Sequence, residues 1–339
     1  MKASEFDFEL PSELIAQHPA SSREQSRLLV VDRESGQLQH FRFSDLPDLL
    51  SIDDLVVLND TRVFPARLLA RRGGRPIEVL LVRPLGGQVW EALVRPGRQA
   101  KPGTRLIFQP SAFEARVLEG PLSATRRLRF EYRGDFWKWI DRLGRVPLPP
   151  YIRRTNQTDL VHDRERYQTV FAKARGAIAA PTAGLHFTGE ILDRIPHCFL
   201  TLHIGYGTFR PLSSDVVEEH RMAPETYVLP AQTARRVSGQ RQGQGRVVAV
   251  GSTTTRVLEF VPLQRGRLCA SRGWTDLFIY PGFQFRVVTA LLTNFHLPRS
   301  TLFLLVSAFG GKELIRECYR QAIEQRYRFY SYGDAMLIL

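Results

Sequence analysis

The chain has 339 residues, of which 43% are hydrophobic and 10% aromatic, and its formal net charge is +13. That length predicts two domains rather than one small core. No apolar run approaches the roughly 20 residues of a membrane span, and the acidic start Met1–Asp7 is unlike a secretory signal. Cys198, Cys269 and Cys318 form no CxxC pair, which disfavours disulfides and a zinc ribbon and predicts a cytoplasmic protein.

The positive charge is concentrated in one quarter of the chain. Residues 62–154 contain 20 Lys and Arg against 7 Asp and Glu, whereas the remainder has 27 of each. Localised positive charge is typical of a polyanion partner, because contacts with phosphates release counterions. Arginine accounts for 42 of the 47 basic residues, so codon usage is an alternative source of the bias. Codon usage does not explain why the excess is local.

Taken in chain order, the sequence first predicts mixed helices and strands and then a small all-β unit. Leu28–Asp32 and Gln37–Phe43 predict a strand pair, Ser44–Leu55 a short helix or turn, and Val56–Leu58 a buried strand. Six short segments rich in β-formers follow, separated by turn residues that include Gly73-Gly74 and Glu119-Gly120-Pro121, which favours a small barrel or sandwich. The six segments are Arg67–Arg71, Ile77–Arg83, Val89–Val94, Thr104–Phe108, Phe113–Leu118 and Arg126–Tyr132.

A predicted helix and an extended linker lead back to α/β texture. The helix covers Asp135–Leu143 and the linker Val146–Arg154, where prolines restrict the backbone to extended geometry. The later predictions are helices at Asp163–Ala172, Thr188–Ile195 (capped by Thr188) and Gly311–Glu324, with strands at Phe199–Ile204 and Arg246–Val250.

Two polar loops stand out in this second α/β part. The strand at Arg246–Val250 runs into Gly251 and a series of hydroxyl residues, a pattern that suits an anion or ribose. Two continuous apolar runs, Leu277–Tyr280 and Leu302–Val306, predict elements buried on both faces. Between them lies Asn294-Phe295-His296-Leu297-Pro298, at a position where α/β sheets often bind ligands. The alternative is a buried loop whose Asn and His only satisfy backbone groups.

Four of the eight histidines fall in loops that contain glycine or proline, and three of those have an aromatic neighbour. They are His186, His203, His220 and His296. An imidazole beside an aromatic face can transfer protons where a purine stacks, although such residues are more often satisfied core groups. No HxxxH or HExxH spacing, G-x-S-x-G elbow or distinctive nucleophilic Cys is present, so a metal site and a serine or cysteine hydrolase are disfavoured.

Long motif strings give the chain a specific resemblance, which runs nearly end to end. The strings are Phe6–Pro11, Leu58–Arg67, Val146–Ile152, Arg166–Val170, Ala180–Phe187, Leu202–Phe209, Phe278–Gly282, Leu292–Pro298 and Phe329–Met336. On these residues the chain closely resembles the S-adenosylmethionine:tRNA ribosyltransferase-isomerases, the enzymes that form epoxyqueuosine in tRNA.

The resemblance implies a fold and a reaction. The fold is a larger α/β domain with a small all-β barrel domain inserted near the N-terminus, with residues 1–61 and 151–339 in the catalytic domain and 62–150 in the basic barrel. S-adenosylmethionine donates its ribosyl part to the 7-aminomethyl-7-deazaguanine at the tRNA wobble position. The sugar isomerises, and adenine and methionine leave. No metal is expected, and the partners are the anticodon arm of tRNA and S-adenosylmethionine, with the protein a monomer that has no membrane contact.

This resemblance also sets the predicted site residues, whose individual roles stay open. A neutral imidazole can remove a C5′ proton, adenine needs an acid, and the sulfonium favours aromatic faces and carboxylates. The predicted catalytic residues are His186, His203, His296, Glu225 and Asp60. The predicted S-adenosylmethionine-binding residues are Thr182, Phe187, Gly205, Gly207, Thr208, Gly251, Thr254, Arg256, Tyr280, Asn294 and Phe295. The predicted RNA-binding residues are Arg62, Arg67, Arg126, Arg127, Arg129 and Arg153.

The sequence departs from the family pattern in a few places. Ala223-Pro224-Glu225 stands where the family has His-Ser-Glu, and Tyr206 stands between Gly205 and Gly207, where a small or aliphatic residue is usual. A ring such as Tyr206 is expected to fill the volume of the missing imidazole. Two rival functions stay open. One is a non-catalytic RNA-binding paralogue, motivated by Ala223 together with the basic segment 62–154. The other is a transferase that acts on a small acidic molecule, with the barrel charge incidental.

Overall fold

The structure is a computed structural model that describes residues 1–72, 75–118, 125–154, 157–209, 212 and 214–339. The predicted turn residues Gly73-Gly74 and Glu119-Gly120-Pro121 lie outside the described residues. The first strands are β1 (Arg27–Val31), β2 (Leu38–Arg42), β3 (Leu55–Asn59), β4 (Thr61–Val63), β5 (Arg67–Arg72), β6 (Arg75–Gly86), β7 (Val89–Arg95), β8 (Arg105–Gln109), β9 (Phe113–Val117) and β10 (Thr125–Tyr132). The later strands are β11 (Ala174–Ala177), β12 (His197–Leu202), β13 (Glu225–Leu229), β14 (Val247–Val250), β15 (Leu263–Gln264), β16 (Arg267–Leu268), β17 (Ser271–Thr275), β18 (Ala290–Asn294) and β19 (Ala335–Ile338).

The α-helices are short and lie mainly around the larger sheet. They are α1 (Leu46–Leu49), α2 (Phe136–Leu143), α3 (Gln157–Arg166), α4 (Gly189–Asp193), α5 (Ala231–Gln240), α6 (Gly251–Phe260), α7 (Thr301–Gly310) and α8 (Lys312–Glu324). Among the described residues, none of these helices combines the length and the apolar character that crossing a membrane requires.

Within the described ranges, nine strands form one mixed sheet. Their order is β17-β13-β12-β3-β14-β18-β19-β1-β2. The central strands β12, β3, β14 and β18 are mutually parallel. Strands β13 and β19 run antiparallel to this group on its two sides. The carboxyl ends of four neighbouring strands therefore meet at one edge of the sheet, where α/β proteins bind ligands.

The central strands bury side chains on both faces of the sheet. In β3, Leu55 and Val57 contribute to one apolar layer, while Val56 and Leu58 contribute to the layer on the opposite face. Successive side chains of a strand point to opposite faces, so this uninterrupted apolar sequence follows from burial on both sides.

A closed six-stranded antiparallel barrel is inserted between β4 and α2. Its strand order is β10-β7-β6-β5-β8-β9, and each of the six predicted β segments overlaps one of these strands, with only Thr104 and Leu118 falling outside them. Helix α2 packs Trp137 and Ile140 against the barrel core. Where the chain enters and leaves the barrel, Arg67 and Arg145 exchange two backbone hydrogen bonds of 3.1 and 2.8 Å. The predicted fold class is confirmed, and the boundaries at 62 and 150 stay a proposal.

Three details differ from the sequence prediction. Leu277–Tyr280 forms no regular element, and only Ile279 in it is buried. The run Leu302–Val306 is buried, but as part of helix α7, because a short apolar run does not distinguish a strand from a buried helix. The helix predicted at Asp163–Ala172 begins earlier and ends at Arg166. The three hydrophilic residues at its start, Gln157, Thr158 and Asp159, gave no apolar periodicity from which to place it.

Candidate active site

A cleft lies at the sheet edge where the four parallel strands end. Its walls come from residues 179–183, the start of α6 at 251–253, residues 293, 294 and 296 at the end of β18, and Tyr330-Ser331. It holds about 570 Å³ of space, including space open to solvent. A second recess shares Ser252, Thr253 and Leu302 with the cleft and reaches Arg256. The position agrees with the rule that α/β sheets bind ligands beyond the carboxyl ends of their strands.

Local backbone geometry forms the wall at the start of α6. Gly251 has a φ of +81°, a left-handed conformation that L side chains rarely adopt, and it begins α6 directly after β14. The hydroxyl groups of Ser252 and Thr253 are thereby carried at the cleft. Thr253 Oγ1 accepts a hydrogen bond of 3.1 Å from Asn59 Nδ2 at the end of β3, which ties two neighbouring strand ends together.

His296 is a buried neutral base in the cleft wall. Its side chain is 5% exposed, and burial lowers its pKa to about 3. Nε2 lies 2.8 Å from Thr293 Oγ1, and the backbone N–H donates to Tyr319 Oη at 2.9 Å. The ring is therefore held in place and is uncharged at neutral pH, because burial disfavours the imidazolium.

Hydrogen bonding fixes both the orientation of the Asn294 amide and the tautomer of His186. Asn294 Nδ2 donates to the carbonyl oxygen of Tyr330 at 3.0 Å and contacts His186 Nε2 at 3.2 Å. A carbonyl oxygen only accepts, so the amide nitrogen must face this side and His186 Nε2 must also accept. The His186 proton then resides on Nδ1, which donates to Ser26 Oγ at 2.9 Å. Burial lowers the pKa of His186 to about 4, against the opposing charge of Asp334.

The same arrangement leaves one acceptor in the cleft wall without a donor. Asn294 Oδ1 is buried and has no hydrogen-bond partner among the described residues. A buried amide oxygen without a donor costs about 1–3 kcal/mol. Asn294 lines the cleft, so a ligand that brings an N–H or O–H group to this wall recovers that free energy.

His203 lies at the end of β12, next to the cleft-lining Ile204. Its Nδ1 is 2.8 Å from Thr61 Oγ1, and its ring lies against Gly176, where an added Cβ would be 2.6 Å from Cε1. Burial lowers the pKa of His203, and the charge of Asp60 opposes this shift. Asp60 Oδ1 itself accepts a 2.6 Å hydrogen bond from Thr201 Oγ1. These contacts hold the imidazole at the strand ends beside a carboxylate.

Glu225 and Arg256 form a buried ion pair beside the second recess. Their side chains are 4% and 6% exposed, and Arg256 Nη1 pairs with Glu225 Oε2. Glu225 Oε1 also accepts a 2.7 Å hydrogen bond from the Gly205 N–H. Arg256 Nε donates to Leu277 O at 2.8 Å, and Nη2 donates to Thr275 O at 3.3 Å. The pair therefore joins the turn after β12 to the segment after β17.

Of the predicted S-adenosylmethionine-binding residues, Thr182, Gly251 and Asn294 line the cleft and Arg256 lines the recess. Gly205, Gly207 and four side chains of the predicted set do not line either space. Phe187 packs on Phe43, and Phe295 is fully buried against Tyr319, Tyr327 and Phe329. Thr254 is fully buried, and Tyr280 packs on Phe278. Motif position alone does not separate the aromatic rings of the core from those of a pocket.

The loop that carries the family departures packs differently from the prediction. Gly207 faces Ala223, because a Cβ built on this glycine would lie 3.1 Å from Ala223 Cβ. Tyr206 packs against the barrel core, and Ala223 is exposed, so among the described residues there is no buried volume beside Ala223 for a ring to fill. The side chain of Thr208 lies outside the described residues.

The predicted RNA-binding arginines divide into two groups. The side chains of Arg62, Arg127, Arg129 and Arg153 are exposed. Arg67 is half-buried and donates to Leu148 O at 3.4 Å. Arg126 donates to the carbonyls of Ala100 and Gly97 at 3.2 and 3.5 Å, at one end of the barrel. Successive side chains of β10 point to opposite faces of the strand, so Arg126 lies on the face opposite to Arg127 and Arg129.

Several cleft residues were not predicted. Tyr151 and Tyr330 both line the cleft, with ring centroids 4.0 Å apart. Burial raises the pKa of both phenols, that of Tyr330 to about 12, so both are neutral. Tyr167 and Ser331 complete this wall. All four lie in the motif strings shared with the family, and this was the one signal that could have identified them. They are far apart in sequence, so the sequence did not indicate that they meet.

Comparison with known proteins gives consistent matches over the whole length. Residues 3–338 match the model of a family described as "Queuosine biosynthesis protein". A protein of Syntrophotalea carbinolica named S-adenosylmethionine:tRNA ribosyltransferase-isomerase is 51% identical, covering 100% of both chains. One of the same name from Natranaerobius thermophilus is 49% identical over 100% of this chain and 99% of its own.

A solved structure is also similar. The crystal structure of the S-adenosylmethionine tRNA ribosyltransferase of Thermotoga maritima is 38% identical, covers 99% of this chain and 100% of its own, and has a TM-score of 0.54. Three observations indicate the same family: the sequence identity over the full chain, the matching family model and the similar solved structure. The chain belongs to the family of queuosine biosynthesis proteins.

Proposed function

We propose that the chain is an S-adenosylmethionine:tRNA ribosyltransferase-isomerase of queuosine biosynthesis. It transfers the ribosyl part of S-adenosylmethionine to the 7-aminomethyl-7-deazaguanine at the wobble position of tRNA, forming epoxyqueuosine and releasing adenine and methionine. The names of full-length relatives at 49–51% identity support this assignment. The structural observation that carries it is the neutral His296 imidazole in the wall of a cleft at the carboxyl ends of four parallel strands.

Aromatic faces rather than carboxylates would receive the sulfonium. Among the described residues that line the cleft and its second recess there is no Asp or Glu. Tyr151 and Tyr330 are neutral phenols that line the cleft together. Aromatic rings attract a desolvated cation by about 2 kcal/mol or more. A neutral cleft with two such rings suits a cationic substrate that must give up its charge when methionine leaves.

His296 would remove the proton next to the sulfur. The positive sulfur acidifies the neighbouring C5′ hydrogens, so even a weakly basic imidazole can accept one. The low pKa keeps a nitrogen lone pair of His296 free at neutral pH. The buried His296 and His186 are both neutral and do not supply the proton that departing adenine needs.

Asn294 would recognise a hydrogen-bond donor of the adenosine part. Its Oδ1 lacks a protein donor, and the adenine amino group and the ribose hydroxyls are donors of the right kind. His186 and the Tyr330 carbonyl hold the amide so that Oδ1 cannot exchange places with Nδ2. In this proposal His186 positions Asn294, while Asn294 touches the substrate.

The barrel, residues 62–150, would bind the anticodon arm, because it carries most of the chain's excess positive charge. The three cysteines of the chain are unpaired, which supports a cytoplasmic location.

The test is release of free adenine. The protein is mixed with S-adenosylmethionine and either tRNA carrying the precursor base, unmodified tRNA or no RNA, and the modified nucleoside is identified by mass. We expect adenine and epoxyqueuosine only with precursor tRNA. A protein that binds RNA but releases no adenine is the non-catalytic paralogue, and adenine release without RNA indicates a small-molecule acceptor.

The matched variants are His296→Gln and His197→Gln. Removing a positioned base costs about 10²–10⁴ in rate, so His296→Gln should lose turnover by that factor. His197 begins β12 at the opposite end of the sheet from the cleft, so its variant should keep normal turnover. Equal turnover in the two folded variants would reject His296 as the base.

A further inference from the structure

The edge of the large sheet presents an exposed tryptophan. Strand β17 is the last strand on its side of the sheet. Trp274 in this strand is 49% exposed and is the one aromatic among the strongly exposed large hydrophobic residues of the described chain. The Trp274 side chain shares its face of the sheet with Arg272, also exposed, because they are two positions apart in a strand. The large ring therefore faces solvent beside a cation.

This tryptophan lies at the cleft end of the sheet. Glu225 begins β13, pairs with Thr275 of β17, and bonds the turn after β12 through Gly205. Arg256, which lines the second recess, donates to the carbonyl of Thr275, the residue that follows Trp274. Trp274 is therefore directly followed by Thr275, whose backbone carbonyl is bound by Arg256 of the recess.

The ring is also continuous with the basic face of the barrel. The guanidinium carbon of Arg83, in barrel strand β6, is 5.7 Å from the centroid of Trp274. Arg83 Nε contacts Glu91 at 2.5 Å, and Glu91 is the cross-strand neighbour of Arg127. Arg129 follows two residues later on the same outer face. A row of three arginines with one intervening carboxylate thus leads from Trp274 onto the barrel.

We propose that Trp274 stacks on an unpaired base of the RNA loop whose wobble nucleotide enters the cleft, while the arginine row contacts the neighbouring phosphates. The inference rests on the proposed function. Sequence-tolerant binding of single strands combines a positive surface with aromatic rings, and RNA loops are recognised through unstacked bases. The arginines favour a polyanion over a protein partner. The main alternative occupant is a second copy of the chain, added to the unpaired edge of β17.

The experiment measures affinity for RNA with the full-length chain. Variants Trp274→Ala, Trp274→Phe and Ile52→Ala are titrated with a hairpin of the anticodon arm and with a fully paired duplex of the same length. Ile52 is 80% exposed and precedes β3, at the end of the sheet opposite the cleft, so it is a control for loss of exposed apolar surface. The Michaelis constants for tRNA and for S-adenosylmethionine are measured in parallel.

We expect Trp274→Ala to weaken hairpin binding roughly 5- to 150-fold, the usual range for loss of one base stack. Trp274→Phe should recover most of the affinity, and duplex binding and the constant for S-adenosylmethionine should not change. Unchanged hairpin affinity, or an equal loss on the duplex, overturns the inference. A wild-type dimer that Trp274→Ala dissociates also overturns it, in favour of a second copy.

The proposed function has a separate outcome. Adenine release by the wild type with precursor tRNA upholds it even if Trp274→Ala binds the hairpin normally, so the two can fail independently.

Discussion

The two buried imidazoles should make the fold sensitive to mild acid. His186 and His296 have pKa values near 4 and 3 because burial disfavours their charged forms. In the unfolded chain a histidine titrates near 6.5. Between pH 6.5 and the folded pKa the unfolded state binds a proton that the folded state does not. The free energy of unfolding must therefore fall as the pH is lowered through this window.

The size of the effect follows from the width of the window. Each imidazole lowers the free energy of unfolding by about 1.4 kcal/mol for every pH unit below 6.5. At pH 5 each has therefore lowered it by about 2 kcal/mol. The two together remove about 4 kcal/mol. That is a large part of a typical stability of about 5–15 kcal/mol.

The assay is urea unfolding between pH 7.5 and 5 for the wild type, His186→Asn and His296→Gln. Over this pH range the free energy of unfolding of each variant should fall by about 2 kcal/mol less than that of the wild type, whatever the variant's stability at pH 7.5. Ile315→Val is the control, because it removes one buried methylene, at a cost of about 0.5–1.5 kcal/mol, without removing a titrating group. If both histidine variants follow the wild-type profile in parallel, the reasoning is refuted.

Three further predictions concern the loop, the ion pair and the barrel. Glu225→Gln should lower the free energy of unfolding in urea by about 3–5 kcal/mol, since it leaves a buried guanidinium unpaired; a loss below 1 kcal/mol would contradict this. Ala223→His should change the rate of adenine release tenfold or less, about 1.4 kcal/mol of barrier, because Ala223 is exposed and lines neither the cleft nor its recess; a larger gain would favour the non-catalytic paralogue. Replacing Arg127 and Arg129 with Ser should reduce the salt dependence of tRNA binding by about two phosphate contacts, whereas Arg126→Ser should mainly destabilise the barrel; an unchanged slope for the double variant would exclude this face from RNA binding.

The barrel was predictable because its signals are local. Each strand alternates inward and outward residues over a few positions, as Leu128 and Phe130 alternate with Arg127, Arg129 and Glu131. Turn residues separate the strands, so segment boundaries follow from neighbouring residues alone. The prediction that Leu277–Tyr280 forms an element buried on both faces failed for the opposite reason. The apolar side chains of this segment pack around residues from other parts of the chain, and no local period distinguishes an irregular segment from a strand.

The cleft was predictable only in part. The loop from Asn294 to His296 follows a buried strand, and this order alone located it at a sheet edge. The sequence did not indicate that Phe295 turns into the core while its two neighbours line the cleft. It also did not indicate that Tyr151 and Tyr330 meet, since 179 residues separate them and only the folded sheet brings them together.

The order of the strands has a consequence for the order of folding. The barrel strands all lie between Arg67 and Tyr132, and most pair with a neighbour in sequence. The large sheet, in contrast, pairs β1 with β19, the first strand of the chain with the last. Local pairings form faster than distant ones, and domains form as units during synthesis. On the ribosome the barrel can therefore close early, while β1 waits with one edge unpaired until the final strand emerges, and a chain truncated before Ala335 keeps that edge open to aggregation.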